Sequence, residues 1–266
     1  MIGSNGGTGS ECVVALLDRG AAVRATTRSG SLSGALSDRA SNSELLTERV
    51  CDVTRPDTVV SAVRGCGAVI FAASSSKGGG APSAVDNGGL VAVARACLDE
   101  GVPHLVVVSS GAVTRPASPV YLFLNLFGNI MEEKIRGEDA LRSMYAERNS
   151  EMGEGGAELL YTIIRPGGLT VEPPRGPAAL ELNQGDNKSG RISRADVAGL
   201  CVESIRHPES TGCRTFECYD ADTAAPLASV GLSNILKAKT DDKVFVSGKE
   251  CRGETWEALF KGLEKD

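Results

Sequence analysis

The sequence predicts an α/β fold, a single Rossmann-type doubly wound parallel sheet with helices on both faces. Three observations predict it. Short apolar runs of strand length at 68–73, 105–108 and 159–164 alternate with longer amphipathic stretches, the grammar of a parallel sheet covered on both sides. A glycine cluster, Gly3, Gly6, Gly7 and Gly9, opens directly into the first such stretch. Glycine and proline then punctuate the joints, at Gly20, Gly65, Gly67, Gly101 and Pro103, and right-handed crossovers between the units place helices on both faces.

Only Met1 and Ile2 precede the glycine loop, so either the chain begins late, after a lost leader, or the first strand is very short. Residues 12–17 are apolar, flanked by Glu11, Asp18 and Arg19, and stop at Gly20 as a helix ending on a glycine does. A short strand follows at 22–27. Six serines within 29–43 mark a loop with at most a weak helix. Residues 49–53 read as a strand end, and Pro56 starts a helix reaching about 64. After the strand at 68–73 come a glycine-rich loop (74–82), a helix (85–100) and the second apolar strand (105–108). A charged amphipathic helix occupies 132–144, and the polar segment 147–158 reads as a surface insertion. The strand at 159–164 leads into Arg165-Pro166-Gly167-Gly168 and an irregular, proline-rich 171–177. Ser193 caps a helix over 194–206, 214–219 is a last strand, and Trp256, Leu259, Phe260 and Leu263 stripe a closing helix. There is no internal repeat and no clean domain break. The expectation is one domain over 1–266, with 221–266 a helical or irregular cap.

Composition removes several classes. Hydrophobic residues at 41% and charged residues at 23% exclude a disordered chain. A net charge of −6 argues against nucleic-acid binding. The eight cysteines are scattered without a C-x-x-C pair and only two histidines exist, so we expect reduced thiols and no metal site. No run approaches the roughly 18 apolar residues that a membrane-spanning helix needs.

Two places carry chemistry. In Gly3-Ser4-Asn5-Gly6-Gly7-Thr8-Gly9, glycines at 3, 6 and 9 permit a tight turn and close backbone approach to a pyrophosphate. The helix that follows supplies amide donors and a positive dipole end. The spacing is G-x-x-G-x-x-G rather than the common dinucleotide G-x-G-x-x-G. At the end of the next strand, where a carboxylate would bind the ribose 2′-hydroxyl of NAD, Arg28 stands instead. A guanidinium there suits a 2′-phosphate. Together these favour NADP(H), with NAD(H) the lesser alternative.

The ordered set of motifs resembles the atypical short-chain dehydrogenase/reductases, of the NmrA-like and plastid NADP(H)-binding type related to the translocon-associated dehydrogenase-like protein. The resemblance spans roughly residues 2–220. It is carried by the glycine loop, Cys51-Asp52-Val53-Thr54, Val85-Asp86-Asn87-Gly88-Gly89 and Val106-Val107-Val108-Ser109-Ser110. Asn125-Leu126-Phe127-Gly128-Asn129-Ile130 follows, then Lys134 with Glu138, the 161–169 segment through Arg165-Pro166-Gly167-Gly168, and Ile192-Ser193-Arg194-Ala195-Asp196. The resemblance implies that the loop residues Gly3, Asn5, Gly6, Gly7, Thr8 and Gly9 hold the pyrophosphate and Arg28 reads the 2′-phosphate. It places Asp52 and Val53 at the adenine and Ala72, Ala73 and Ser74 beside the adenosine ribose. Ser110, or its neighbour Ser109, would polarise a substrate carbonyl. Lys134 would hold the nicotinamide ribose, and Pro166 and Gly167 would flank the nicotinamide.

One departure bears on mechanism. Active relatives carry a proton-donating tyrosine four residues before the lysine, and here that position is Ile130. The phenol's loss removes a general acid typically worth about 10²–10⁴-fold. Three readings therefore compete: an NADP(H)-dependent reductase with another proton donor, a nucleotide-binding protein that senses redox state or assists a larger complex, and a structural subunit. The resemblance implies a plastid location, stromal or peripheral to the thylakoid, with the cytosol as alternative. Lastly, Val120, Tyr121, Leu122, Phe123, Leu124, Leu126 and Phe127 make seven of eight consecutive residues apolar. Such a run is either buried all round or exposes a patch for a protein complex or peripheral membrane contact.

Overall fold

The computed structural model describes residues 1–76, 78–126, 128–153, 157–227 and 246–266. The strands are β1 (Val23–Thr27), β2 (Leu46–Val50), β3 (Val69–Phe71), β4 (His104–Val108), β5 (Leu160–Pro166), β6 (Gly168–Thr170), β7 (Leu180–Asn183), β8 (Lys188–Ser189), β9 (Arg191–Ser193), β10 (Arg214–Asp220) and β11 (Ala225–Pro226). The helices are α1 (Gly7–Asp18), α2 (Ala35–Ser41), α3 (Pro56–Val63), α4 (Gly88–Asp99), α5 (Pro119–Asn125), α6 (Ile130–Glu151), α7 (Arg194–Arg206), α8 (Pro208–Thr211) and α9 (Trp256–Phe260). A π-turn at Ser83–Asn87 leads into α4.

Ile2 is the short first strand. It bridges Thr26 on one side and Phe71 on the other, its N–H donating to Ile70 O at 2.8 Å and its carbonyl accepting from Ala72 N at 3.0 Å. The sheet therefore runs β2–β1–Ile2–β3–β4–β5–β10–β7, parallel except for the antiparallel edge strand β7. The direction of winding reverses at Ile2, and a ligand crevice forms at such a switch point, beyond the carboxyl ends of the strands.

The alternation of side chains along each strand explains the two-sided core. Val69, Phe71, Leu105, Val107, Tyr161 and Ile163 face α3, α4 and α6. Ile70, Val106, Val108 and Ile164 face α7 and the first turns of α1. Both faces are apolar because both are covered, which is why the strands read as unbroken apolar runs.

Some boundaries differ from expectation. β2 ends at Val50, so Cys51, Asp52 and Val53 form the loop beyond it. The 85–100 helix divides into the π-turn and α4. The proposed insertion at 147–158 is corrected in its first part, because α6 continues through Glu151. Asn149 closes that end by donating to Leu159 O at 2.9 Å and accepting from Leu159 N at 3.0 Å. Residues 154–156 and 228–245 lie outside the described residues, so the insertion and the 221–266 cap are seen only in part. No described helix is long and apolar enough to cross a membrane.

Candidate functional site

The carboxyl ends of Ile2, β1 and β3 open onto a groove of about 700 Å³. Gly3, Asn5, Gly6, Gly7 and Thr8 line it together with Arg28, Asp52, Val53, Ala72, Ala73 and Ser74. The glycines are required by close approach. Gly3 has φ +88°, and a Cβ there would lie 2.9 Å from Ala73 N. Gly9 does not line the groove; a Cβ on it would lie 2.0 Å from Gly3 O, so it acts behind the loop by letting α1 pack onto the turn. The N-cap residue Gly6 provides no side-chain cap, which leaves the first amides of α1 to whatever anion occupies the groove.

Arg28 donates to Gly78 O at 2.8 Å, reaching across the groove to the 74–82 loop. Asp52 turns its carboxylate onto Thr54, accepting from N at 3.0 Å and Oγ1 at 2.7 Å. These bonds, with Arg28 and Arg55 nearby, hold its carboxyl below the usual range. Asn5 spends its amide on structure: it donates to Ser31 O and accepts from Ser33 N, both at 3.1 Å, fixing the loop that carries Arg28.

A second cavity of about 490 Å³ continues the groove, sharing Thr8, Ala72, Ala73, Ser74, Leu169 and Arg194 with it. Ser109, Ser110, Ile130, Lys134, Pro166 and Gly167 line this cavity, so the residues singled out at β4, α6 and β5 converge. Lys134 is no surface charge. It pairs with the buried carboxylate of Asp86 at 2.8 Å, which also accepts from Ser74 Oγ at 2.6 Å and Ser75 N at 2.9 Å. Burial alone would raise the Asp86 carboxyl; the ammonium and the two donors outweigh it and hold it low. Gly137 makes the pairing possible, because a Cβ there would sit 2.8 Å from Asp86 O where α6 crosses the π-turn.

The two serines separate in role. Ser109 Oγ donates to Glu138 Oε1 at 2.5 Å, and Glu138 is fully buried between Arg165 (2.6 Å) and Arg142 (2.9 Å). Burial opposes ionisation of Glu138, but the two guanidiniums hold its carboxyl low. Among the described residues Ser110 Oγ reaches only Gly111 O, at 3.1 Å, and it remains at the cavity wall. Ile130 lies one turn before Lys134 on α6, as the sequence order requires. None of the four tyrosines lines either space. Tyr121 is packed beside Val113 and Met131, and Tyr161 donates its hydroxyl to Asp266 Oδ2 at 3.0 Å, at the opposite end of β5. Neither lines the cavity beside Ile130 and Lys134.

Residues 3–208 match the NAD(P)H-binding family. The chain is a member of that family of atypical short-chain dehydrogenase/reductases. An uncharacterized chloroplastic protein of Arabidopsis thaliana is 33% identical over 218 residues, covering 79% of this chain and 72% of the relative. The chloroplastic protein TIC 62 of Oryza sativa is 28% identical over 248 residues, covering 85% of this chain and 46% of its own length. In three dimensions the chain resembles the oxidoreductase ylbE of Lactococcus lactis, with TM-score 0.64 and 17% identity over 90% of this chain and 97% of that one. It also resembles a wide-type short-chain dehydrogenase/reductase of Veillonella parvula in complex with NADP, with TM-score 0.58 and 18% identity over 82% and 92%. These two likenesses establish the shared fold.

For this family member the cradle fits a dinucleotide: Gly3 and Gly9, where a Cβ would strike backbone, an uncapped helix start and a cation at the end of β1. Several lining residues escaped the sequence reading, Arg194 among them. Arg194, first residue of α7, lies over the start of α1, where a Cβ on Gly7 would come 2.9 Å from its Nε. Its Nη1 donates to Thr170 O at 3.1 Å. The local signal was the capped start, Ser193 Oγ accepting from Asp196 N at 2.9 Å. That signal locates a helix end but says nothing of what it faces. The greasy 120–127 run also divides. Tyr121 is buried and Phe123 borders the cavity, while Leu122 and Leu126 are 57% and 77% exposed; Phe127 lies outside the described residues. Among the described residues no three His, Cys, Asp or Glu gather to hold a metal ion.

Proposed function

We propose that the chain is an NADP(H)-dependent oxidoreductase that works without a tyrosine proton donor. The second cavity carries the reading: beside Lys134, Pro166 and Gly167, where the nicotinamide half would sit, it is also lined by Val120, Phe123, Leu124 and Ile130, room for a substrate next to the nicotinamide. When bound, the dinucleotide supplies a hydride. Gly3, Gly6, Gly7 and Thr8 hold the pyrophosphate, with Arg194 opposing its charge from α7. Arg28 takes the 2′-phosphate, Asp52 and Val53 flank the adenine, and Ala72, Ala73 and Ser74 border the adenosine ribose. Lys134, fixed by Asp86, donates to the nicotinamide ribose. Pro166 and Gly167 flank the nicotinamide, and Ser110 offers the hydroxyl that polarises a carbonyl.

With Ile130 in the acid's place, a substrate that must be protonated as it is reduced is poorly served. Acceptors whose reduced form is a stabilised anion, such as quinones, suit the site better than simple ketones. Oxidation of NADPH by a benzoquinone, faster than by cyclohexanone, is the expected result. Tight NADPH binding without turnover of either would favour the second reading, a dinucleotide-sensing protein, which Ile130 supports. The preference for NADP(H) is tested by titration. Wild type should bind NADPH more tightly than NADH, and Arg28→Ala should remove that preference, a loss of about 1.5–3 kcal/mol for a charged hydrogen bond. Equal wild-type affinities would refute it. The chloroplastic relatives support a plastid location, and the exposed edge at Leu122 and Leu126 supports contact with a protein complex or membrane face.

A further inference from the structure

Resting on the dinucleotide reading above, we propose that the second cavity takes an apolar molecule bearing a carboxylate, and that Arg191 reads that carboxylate. Every ionisable side chain lining the cavity among the described residues is cationic: Lys134, Arg191 and Arg194. This is a local inversion in a chain of net charge −6. Two of these charges are engaged. Lys134 is paired with Asp86 at 2.8 Å. Arg194 donates to Thr170 O and lies against Gly7, on the pyrophosphate side.

Arg191 differs. Thr223 engages only its backbone, the N–H donating to Thr223 Oγ1 at 2.8 Å and the carbonyl accepting from it at 3.3 Å. Among the described residues its guanidinium has no ion pair. Its position is fixed, because β9 pairs in parallel with β6 and sets Arg191 opposite Gly168, the first residue of β6. Its stem runs beside Gly168, with Cγ 3.9 Å from where a Cβ would be. Apolar side chains of Val108, Val120, Leu124, Ile130 and Met131 line the same cavity, whose other polar side chains are uncharged hydroxyls such as Ser110 and Ser189. An unpaired guanidinium beside these apolar side chains matches a ligand with a carboxylate on a hydrocarbon body, since the planar fork of Arg receives both carboxylate oxygens.

The test is calorimetric titration of the full chain saturated with NADP⁺, using decanoate and decanol as probes. Decanoate should bind at least ~10-fold more tightly than decanol, the lower bound for a charged hydrogen bond. Arg191→Gln should bring the two within about threefold, and Arg191→Lys should keep part of the preference. NADP⁺ affinity should stay within about twofold of wild type in both variants. Equal binding of the two probes by the wild type, no binding of decanoate, or a preference that survives Arg191→Gln overturns the proposal. The wild-type comparison decides even where a variant fails to fold. Absence of NADP⁺ binding in the first titration would overturn the dinucleotide reading, and this proposal with it.

Discussion

Replacing Lys134 with methionine should cost the fold about 3 kcal/mol at neutral pH, and that cost should shrink as the pH is lowered. The Asp86 carboxylate has no exposed side-chain surface and loses an ammonium at 2.8 Å. Removing one partner of a buried ion pair costs roughly 3–5 kcal/mol. Ser74 Oγ at 2.6 Å and Ser75 N at 2.9 Å still donate to the carboxylate, which places the expected loss at the low end. For a chain of this size that is a fall in Tm of roughly 6–12 °C.

The pH dependence follows from the direction of the Asp86 shift. In the wild type, burial opposes ionisation but Lys134 and the serine donors hold the carboxyl below its ordinary 3.8. Its stabilisation is therefore fully present above the unfolded value and is lost as pH falls through the folded one. In Lys134→Met the burial remains and the cation is gone, so the carboxyl shifts upward and the folded variant takes up a proton. Its deficit narrows from neutral pH toward about 4. Urea unfolding of both proteins at pH 7.5, 6 and 5 measures this. Adding Asp86→Asn to Lys134→Met should recover more than half the loss. A deficit under about 0.5 kcal/mol, within the ordinary range of surface substitutions, or one that does not change with pH, would refute the reasoning.

Gly9→Ala puts a methyl 2.0 Å from Gly3 O, a backbone contact that cannot rotate away. We expect a loss of about 1–3 kcal/mol in urea unfolding and weaker NADPH binding by titration. His104 is held neutral, its pKa lowered to about 4 by burial. Its Nε2 pairs with Thr162 Oγ1 at 2.8 Å, while Nδ1 has no hydrogen-bond partner among the described residues. The unfolded chain takes a proton near pH 6.5 and the folded chain does not, so stability falls by up to ~3 kcal/mol as pH drops from 6.5 to 4. His104→Gln should lack this loss in urea titrations at pH 7 and 5. Glu217, raised to about 7 by burial and Asp186, acts oppositely but equally in both proteins and cancels in the difference. Ile130→Tyr returns a phenol one turn before Lys134 and should raise reduction of cyclohexanone by NADPH about 10²-fold; an unchanged rate would show that the phenol is not the missing part.

Elements whose cause is local were legible in the sequence. The β4 strand is apolar at every position but His104, and α7 announces itself through Ser193 and Asp196, whose bond caps it. The residues of the groove were legible because each ends a strand of the parallel order, where loops meet. Elements whose cause is distant were not. The two-residue strands β8 and β11 exist only by pairing with each other, and β6 holds its shape through β9. Beyond the buried Tyr145, α6 runs on through Glu147, Arg148, Asn149, Ser150 and Glu151 with no apolar stripe to mark it, and the bonds from Asn149 to Leu159 define its end. Nothing local accounts for Gly137 within α6; its reason is a backbone atom of Asp86 about fifty residues earlier. Arg194 was invisible as a site residue because its neighbour, Gly7, lies at the other end of the sequence.

The Glu138 cluster constrains how relatives of this chain can diverge. Glu138 accepts from Ser109, Arg142 and Arg165 at once, and Arg165 passes on to Glu217. Losing Arg165 or Glu138 takes from its buried partner the closest counter-charge, at 2.6 Å, whereas joint replacement by apolar side chains need not be costly. Drift here is therefore blocked one substitution at a time, and in related sequences these positions should vary together or stay fixed. The cavity residues Val120, Leu124 and Ile130 are apolar and, among the described residues, take no part in that network of charges. Each of those positions is free to change alone. Innovation in substrate is thereby confined to such positions, while the cluster keeps the strand ends in register for whatever chemistry comes next.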